Sequence, residues 1–206
     1  MAIPNTAIDT NSQGSPVADF AFDESLVEYT VPKTDWLRIH EKSFDGVHTS
    51  AFIFDDQGRV LLVQRAAHDS MPNLWETPGG AVDAGDASIL AGCAREVWEE
   101  VGLVARRMVR LVTEGGGGGG GGEKWSVFTN RDGTRVFCGF GFEVEVEGGG
   151  GGKVVMLDER EHQDFVWAEE EDVRRGEVGG RKIGLTGVVM RNKLLEAFRL
   201  RREREE

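Results

Sequence analysis

The most informative part of this sequence for its fold is GAVDAGDASILAGCAREVWEEVGL, residues 80 to 103. From about Ala87 to Val101, apolar residues recur with the spacing of one helix face, at Leu90, Ala94, Val97 and Val101. Gly102 follows and suits a helix C-terminus. Asp86 and Ser88 are both candidates for the N-cap, and for Asp86 we favour this capping role over that of a functional acid because aspartate is among the best capping residues.

Three acidic residues, Glu96, Glu99 and Glu100, lie within five positions of this helix. At about 100° per residue they project from one side, opposite the apolar stripe. One interpretation is an ordinary solvated face with weak ion pairs to Arg95. The other is a cation site, because like charges at this spacing repel one another and a bound cation removes the repulsion. A ligand set made only of oxygen atoms indicates Mg²⁺ or Mn²⁺.

Before the helix, Pro78, Gly79 and Gly80 form a segment of minimal bulk. Glycine allows a phosphate or a metal ion to approach the backbone closely, and it also suits a plain tight turn. The two readings are compatible.

Together these features resemble the Nudix box, G-x5-E-x7-R-E-U-x-E-E-x-G-U, in which U is a bulky aliphatic residue. The match covers Gly80 to Leu103, and a wider resemblance extends over about residues 46–200 through LLVQR, WETPGG and HQDFVWA. The resemblance implies the α/β Nudix fold, an α/β/α sandwich around a mixed sheet. It also implies hydrolysis of a nucleoside diphosphate that is linked to another group.

The resemblance implies roles for individual residues. Glu96, Glu99 and Glu100 correspond to the metal-binding glutamates, Arg95 to the arginine that orients one of them, and Gly80 to a glycine whose carbonyl joins the metal. The implied cofactor is Mg²⁺, with Mn²⁺ as an alternative. Glu99 and Glu96 are our first candidates for the general base, although some family members take the base from a later loop.

The sequence departs from the box at its first acidic position. Asp86 stands where the box has glutamate, and eight residues rather than seven separate it from Arg95. The additional residue falls at the helix entry, so we expect it to shift the cap without moving the acidic face. A functional role for Asp86 is therefore in question.

Outside this region the sequence predicts an N-terminal extension, a main domain and a charged tail, over residues 1–45, 46–200 and 201–206. We expect disorder in about the first 19 residues and flexible surface loops at the glycine runs 115–122 and 148–152.

Alternating apolar residues predict a strand near Leu26 to Thr30, after which Thr34 is a candidate cap for a short helix. The segments VHTSAFIF and RVLLVQR predict a β-hairpin. Further strands are predicted at Ala105 to Thr113, Trp125 to Asn130, Thr134 to Glu147 and Phe165 to Trp167, and a closing helix at about Thr186 to Arg202. A mixed sheet with flanking helices fits this order.

The composition constrains the partners. A formal net charge of -12 disfavours long nucleic acids as substrates. The chain shows no signal peptide and no apolar stretch of membrane-spanning length, so we expect a cytoplasmic protein without a membrane partner. Cys93 and Cys138 lie among apolar neighbours and are predicted to be buried thiols.

Outside the box the candidates are weaker. Arg65 ends a strand and could hold a phosphate, yet a solvated arginine is more common there. His162 is more readily read as a loop histidine without a catalytic role. The acids Glu169 to Asp172 suit the first turn of a helix as well as they suit a general base.

The expected function is metal-dependent hydrolysis of a diphosphate linkage in a small nucleotide-like substrate such as a nucleotide sugar, ADP-ribose, a modified nucleoside triphosphate, a dinucleoside polyphosphate or a coenzyme A derivative. The alternative is a Nudix module that senses a nucleotide without cleaving it, which loss of a box glutamate would favour. All three glutamates are present. The sequence leaves open the leaving group and the oligomeric state.

Overall fold

The computed structural model describes residues 19–115, 124–149 and 154–205. Its four α-helices are α1 (Lys33–Ile39), α2 (Ile89–Val101), α3 (Glu170–Arg175) and α4 (Val188–Glu205), and a 3₁₀ helix spans Glu24–Tyr29. The strands are β1 (Ala21–Phe22), β2 (Gly46–Ile53), β3 (Val60–Arg65), β4 (Trp75–Glu76), β5 (Ala105–Val112), β6 (Ser126–Thr129), β7 (Val136–Val146), β8 (His162–Ala168), β9 (Glu177–Val178) and β10 (Arg181–Lys182).

The central sheet is mixed, as expected. Its order is β1-β5-β7-β2, with β6 also paired to β7. The β2–β7 and β1–β5 pairs are parallel, whereas β5 and β6 run antiparallel to β7. A second sheet has the order β4-β3-β8, and β9 and β10 form a two-stranded ribbon.

Apolar clusters cover the two faces of the central sheet. The first contains the apolar face of α2 together with Val47, Ala51 and Ile53 of β2. The second contains residues of α4 and Phe52, which points the opposite way because side chains alternate along a strand. The expected α/β/α layering is therefore confirmed.

The predicted hairpin of β2 and β3 is confirmed only at its turn, where the Asp55 N–H donates to the Arg59 carbonyl at 2.9 Å. A single antiparallel bridge, Phe54 to Val60, connects the two segments. Beyond this bridge the strands separate: β2 pairs with β7, and β3 pairs with β8. All of Val60–Val63 is fully buried, with alternate residues in the two clusters. A continuous apolar run is typical of a strand covered on both faces, and it does not identify the neighbouring strand.

The N-terminal segment differs from the prediction locally. The supposed strand at Leu26 is a 3₁₀ helix whose N-cap, Asp23, accepts a hydrogen bond from the Ser25 N–H. The short helix has Pro32 rather than Thr34 as its N-cap, because proline is suited to a helix start through its fixed φ. Three of the largest fully buried side chains come from this segment: Leu26, Tyr29 and Trp36.

The start of α2 also requires a correction. Its N-cap is Ser88 and not Asp86, since the Ser88 Oγ accepts from the Ala91 N–H at 3.0 Å. The helix thus begins two residues later than expected. Its C-terminal prediction is confirmed, because Gly102 adopts a left-handed conformation with φ 67° and donates its N–H to the Trp98 carbonyl.

The remaining elements lie within a few residues of their predicted bounds, and Cys93 and Cys138 are buried free thiols as expected. Most of the two glycine runs, and the first 18 residues, lie outside the described residues. Among the residues that the structure describes, no helix is long and apolar enough to cross a membrane.

Candidate active site

Two glycines bring the backbone against the edge of β2. The Thr49 N–H donates to the Gly80 carbonyl at 2.9 Å, and the Ala51 N–H donates to the Pro78 carbonyl at 2.7 Å. Gly79 has φ +149°, and a Cβ there would lie 2.1 Å from the Thr49 carbonyl oxygen. A Cβ on Gly80 would lie 2.5 Å from the Glu96 carboxylate. At position 79 only glycine fits, because a Cβ would collide with the backbone of β2, whereas a side chain at position 80 would displace the Glu96 carboxylate.

Glu100 is buried beside these glycines, with 3% of the residue exposed. Its Oε2 accepts the Gly79 N–H at 2.8 Å. Burial nevertheless raises the pKa of Glu100 well above its ordinary value, and the carboxylates of Glu96 and Glu161 reinforce that rise. The carboxylate therefore lacks a compensating positive charge in its surroundings.

Glu96 lies one helical turn before Glu100 and points into the same cleft. Burial raises the pKa of Glu96 to about 7, against the influence of the Arg95 guanidinium, while Glu99 and Glu161 add repulsion. Arg95 Nη1 donates to Glu96 Oε1 at 2.8 Å. Arg95 is thus in direct contact with Glu96, and its role in orienting this glutamate stays a prediction.

Arg95 joins the two ends of the box. Its Nε and Nη2 donate to the two carboxylate oxygens of Asp86, each at 3.0 Å, and Nη2 also donates to the Ala81 carbonyl. Its Nη1 is 2.7 Å from Glu99 Oε2. A bidentate arginine–carboxylate pair is geometrically specific. Asp86 therefore fixes the guanidinium despite the additional residue between them, and this is its role in place of a cap.

The predicted acidic face is divided by this arrangement. Glu96 and Glu100 line the cleft, whereas Glu99 lies at its rim with 36% of its side chain exposed and its carboxylate on Arg95. Helix geometry explains the difference. At about 100° per residue, Glu100 lies about 40° from Glu96 around the helix axis and Glu99 about 60° from it in the opposite direction.

The cleft itself is a cavity of about 310 Å³ that is lined by both acidic and basic side chains. Its lining comprises His48, Arg65, Asp69, Glu76, Gly79, Gly80, Ala81, Asp83, Glu96, Glu100, Glu161 and His162. Several of these residues were not predicted from the sequence, namely His48, Asp69, Glu76, Asp83 and Glu161, and Glu161 is the one closest to the box glutamates in its chemistry. The available signal was an acid directly before the HQDFVWA strand, in the later loop that some family members use for their base.

Arg65 and His162 belong to the same cleft. Arg65 pairs with Glu76 and with Asp69, the latter at 2.6 Å, so it is not a free solvated arginine. His162 is the first residue of β8 and not a loop residue, and it is buried with Nε2 3.7 Å from Glu76. Its Nδ1 has no hydrogen-bond partner among the described residues.

The acids at the start of α3 have the structural role. Glu169 is the N-cap, and its N–H donates to the Asp172 carboxylate at 2.9 Å in a capping box. They do not line the cleft.

The cleft suits a divalent cation by the chemistry of its donors. Glu96, Glu100 and Glu161 supply oxygen ligands, and these carboxylates repel one another even though Arg95 pairs with Glu96. Because Gly80 has no Cβ, the Glu96 carboxylate lies against its backbone. Over the ranges that the structure describes, no three acidic, histidine or cysteine side chains are already gathered closely enough to hold one ion. Binding would therefore require side-chain rotations.

The chain was compared with known proteins. The NUDIX domain family matches residues 45–184. An RNA pyrophosphohydrolase of Psychrobacter sp. (strain PRwf-1) is 44% identical over 52 residues, which are 25% of this chain and 27% of that protein. A MutT-like protein of Streptomyces ambofaciens is 37% identical over 65 residues, 32% of this chain and 36% of that protein. These alignments span about a quarter to a third of the relatives' length.

Solved structures share the fold. A MutT protein from Methanosarcina mazei Go1 has a TM-score of 0.54 and 22% identity, covering 78% of this chain and 96% of that one. The E. coli ORF135 protein has a TM-score of 0.51 and 26% identity, covering 76% and 90%. The NUDIX domain of Shewanella oneidensis NrtR, complexed with ADP ribose, has a TM-score of 0.52 and 17% identity, covering 85% and 100%. The chain belongs to the Nudix family.

Proposed function

We propose that this protein hydrolyses a diphosphate linkage in a small nucleoside diphosphate derivative, using Mg²⁺ or Mn²⁺. The observation that carries the proposal is the buried pair Glu96 and Glu100, which lines a cleft together with the exposed Glu161 and the glycines Gly79 and Gly80. Buried like charges are costly unless a cation offsets them. The names of the matched relatives, RNA pyrophosphohydrolase and MutT-like protein, support the same chemistry.

The residues that would hold the metal are Glu96, Glu99, Glu100 and the Gly80 carbonyl, and we add Glu161 because it lines the same cleft. A bound Mg²⁺ would neutralise phosphate oxygens and lower the pKa of water in the cleft. The hard, all-oxygen donor set favours Mg²⁺ or Mn²⁺ over metals that prefer nitrogen or sulfur.

The chain's own residues would orient the reaction. Arg95 holds Glu96 and Glu99 by its Nη1, while Asp86 fixes the opposite edge of the guanidinium. Glu96 or Glu99 would accept the proton of the attacking water. The Gly79 N–H holds Glu100 in place. Arg65 lies where it could exchange a carboxylate partner for a substrate phosphate.

RNA is the competing substrate, because two matched relatives are described as RNA pyrophosphohydrolases. The net charge of -12 opposes extended contact with a polyanion. Small nucleotides require only the local cleft, so they remain our preferred substrate class.

The test is a panel of nucleoside diphosphate derivatives assayed with Mg²⁺ for release of phosphorylated products. Glu96→Gln and Glu100→Gln should each lower kcat by roughly two to four orders of magnitude, the range for a lost base or electrostatic contact. Glu171→Gln is the matched control, because Glu171 is an exposed partner of Arg175 on α3. Normal turnover in both cleft variants, or no hydrolysis of any derivative by the wild-type protein, would refute the proposal.

A further inference from the structure

Lys193 of α4 is a buried cation that the proposed reaction does not use. Only 5% of the residue is exposed, and its Nζ donates to the Ser126 Oγ at 3.1 Å and to the Gly139 carbonyl at 3.5 Å. Both acceptors are neutral. Within the described part of the chain, Lys193 forms no ion pair, and its third N–H has no acceptor. Burial lowers its pKa to about 8, partly opposed by Glu114.

The sheet position next to Lys193 is Gly139, which has no side chain and is covered by the Ser126 Oγ and the Phe128 ring. His48, Gly139 and Ser126 are register partners on three adjacent strands, so they share one face of the sheet. The middle position has no side chain. A Cβ on Gly139 would lie 3.0 Å from the Ser126 Oγ and 3.3 Å from the Phe128 ring, so glycine is what lets these groups approach the sheet.

The ring of Phe128, called the aromatic wall below, lies over Gly139. It stacks on Phe137 with ring centroids 5.6 Å apart and an interplanar angle of 16°, and its edge meets the His48 ring at 5.6 Å. Despite these contacts Phe128 is 40% exposed. His48 also lines the acidic cleft, so the aromatic wall and the proposed phosphate site are directly connected.

We propose that Phe128 and Lys193 form the base-recognition site, in which Phe128 stacks against the substrate's nucleobase and the Lys193 ammonium donates to a carbonyl oxygen of that base. This inference rests on the proposed function, since it assumes a nucleotide whose phosphates lie in the adjoining cleft. The class of substrate is a nucleotide with an exocyclic carbonyl, of the guanine or uracil type.

The chemistry of the ammonium determines this choice. Lysine carries three donors and no acceptor, so it selects for acceptors. Guanine presents O6 and N7 together, both acceptors, whereas adenine has an amino donor in place of O6. An adenine amino group would face the ammonium donor to donor, so adenine offers the cation one acceptor, N7, where guanine offers two. Stacking on Phe128 contributes affinity without distinguishing the two purines.

A purely structural role for Lys193 makes different predictions. If the hydrogen bond from Lys193 on α4 to Ser126 on β6 only stabilises the fold, then removal of the ammonium would lower stability. In the recognition role, the buried charge, which Glu114 offsets only in part, is a cost to the free protein. The Ser126 Oγ still donates to the Gly139 carbonyl at 3.2 Å, so removal of the ammonium leaves no orphaned hydroxyl.

The experiment compares Lys193→Met, which keeps length and apolar bulk, with Lys182→Met on the exposed strand β10 as the matched control. Calorimetry with GMP and with AMP, in the absence of metal, measures base recognition independently of hydrolysis. Hydrolysis of GTP and ATP with Mg²⁺ then gives the two values of kcat/KM. Thermal unfolding of each protein measures stability.

We expect Lys193→Met to weaken GMP binding about 10- to 100-fold and AMP binding much less, the range for a hydrogen bond to a charged donor. The melting temperature should stay equal or rise, and Lys182→Met should change neither value. An unchanged ratio of GMP to AMP affinity, or a lower melting temperature with an unchanged ratio, would overturn the inference.

A second variant separates the two proposals. Phe128→Leu should weaken GMP and AMP alike, by about 10-fold, through lost stacking. If wild-type protein hydrolyses no nucleotide but Lys193→Met still abolishes the preference for GMP, the proposed reaction fails and the recognition site stands. If hydrolysis is normal and neither variant alters binding, the recognition site fails and the proposed reaction stands.

Discussion

Glu96→Gln isolates the charge of the buried carboxylate, since glutamine has the same shape and its carbonyl can still accept from Arg95 Nη1. The side chain of Glu96 is only 12% exposed, so little solvent screens it. In the protein without metal, we expect the variant to be more stable than the wild type at neutral and alkaline pH. The reason is that burial disfavours the charged form in the folded state.

The pH range follows from the pKa. Burial raises the pKa of Glu96 from its ordinary value of 4.5 to about 7. Below about pH 4.5 the carboxyl is protonated in both the folded and unfolded states, so it costs nothing. As pH rises from there through 7, the unfolded state ionises first and the wild type loses stability, up to about 3 kcal/mol. Glutamine does not titrate and avoids this loss.

The assay is urea-induced unfolding near pH 4 and near pH 8 with a chelator present. The difference in the free energy of unfolding between Glu96→Gln and wild type should be close to zero at the lower pH and positive at the higher one. Glu171→Gln should stay within about 0.5 kcal/mol of wild type, as exposed substitutions do. If the free energy of unfolding rose equally at both pH values, or fell at pH 8, the charge of Glu96 would not be destabilising in the folded protein.

Three further expectations concern activity. Exhaustive chelation should abolish turnover and added Mg²⁺ should restore it, so undiminished hydrolysis without metal would contradict the metal site. Shortening Gly115–Gly122 to three glycines should leave kcat within a few-fold of the parent, because loop closure changes by only about 0.6 kcal/mol per doubling of length; loss of activity with an intact fold would place the run in the site. RNA with a capped or triphosphorylated 5′ end should have a lower kcat/KM than small nucleotides, and the reverse order would overturn our choice of substrate.

Local patterns predicted the elements whose burial follows a simple period. The apolar face of α2, the left-handed Gly102 and the bounds of β5 and β7 all follow from spacing and residue type. The fully buried run Val60–Val63 instead has no period, so it gave no information about its partner strand. Pairing across the two sheets depends on contacts distant in sequence.

The site shows the same division. Residues within the box, such as Glu96 and Glu100, share a helix, and their convergence follows from helical geometry. Glu161 arrives from a loop about 60 residues later, where spacing carries no information. The preference for Asp86 as a cap failed because capping propensity ignores competition: the Arg95 guanidinium offers Asp86 two charge-assisted bonds, and Ser88 is left to accept the backbone N–H.

Residues 19–45 pack on the core of the protein although most of them lie outside the region matched by the family. The family match begins at residue 45, yet Tyr29 and Trp36 lie against Phe140 of β7 with ring centroids 4.9 Å apart in both cases. The packed core thus includes residues that lie before the region matched by the family. Related sequences with a different N-terminus must fill this aromatic pocket with other side chains, so their N-terminal segments and this patch of β7 should vary together in evolution.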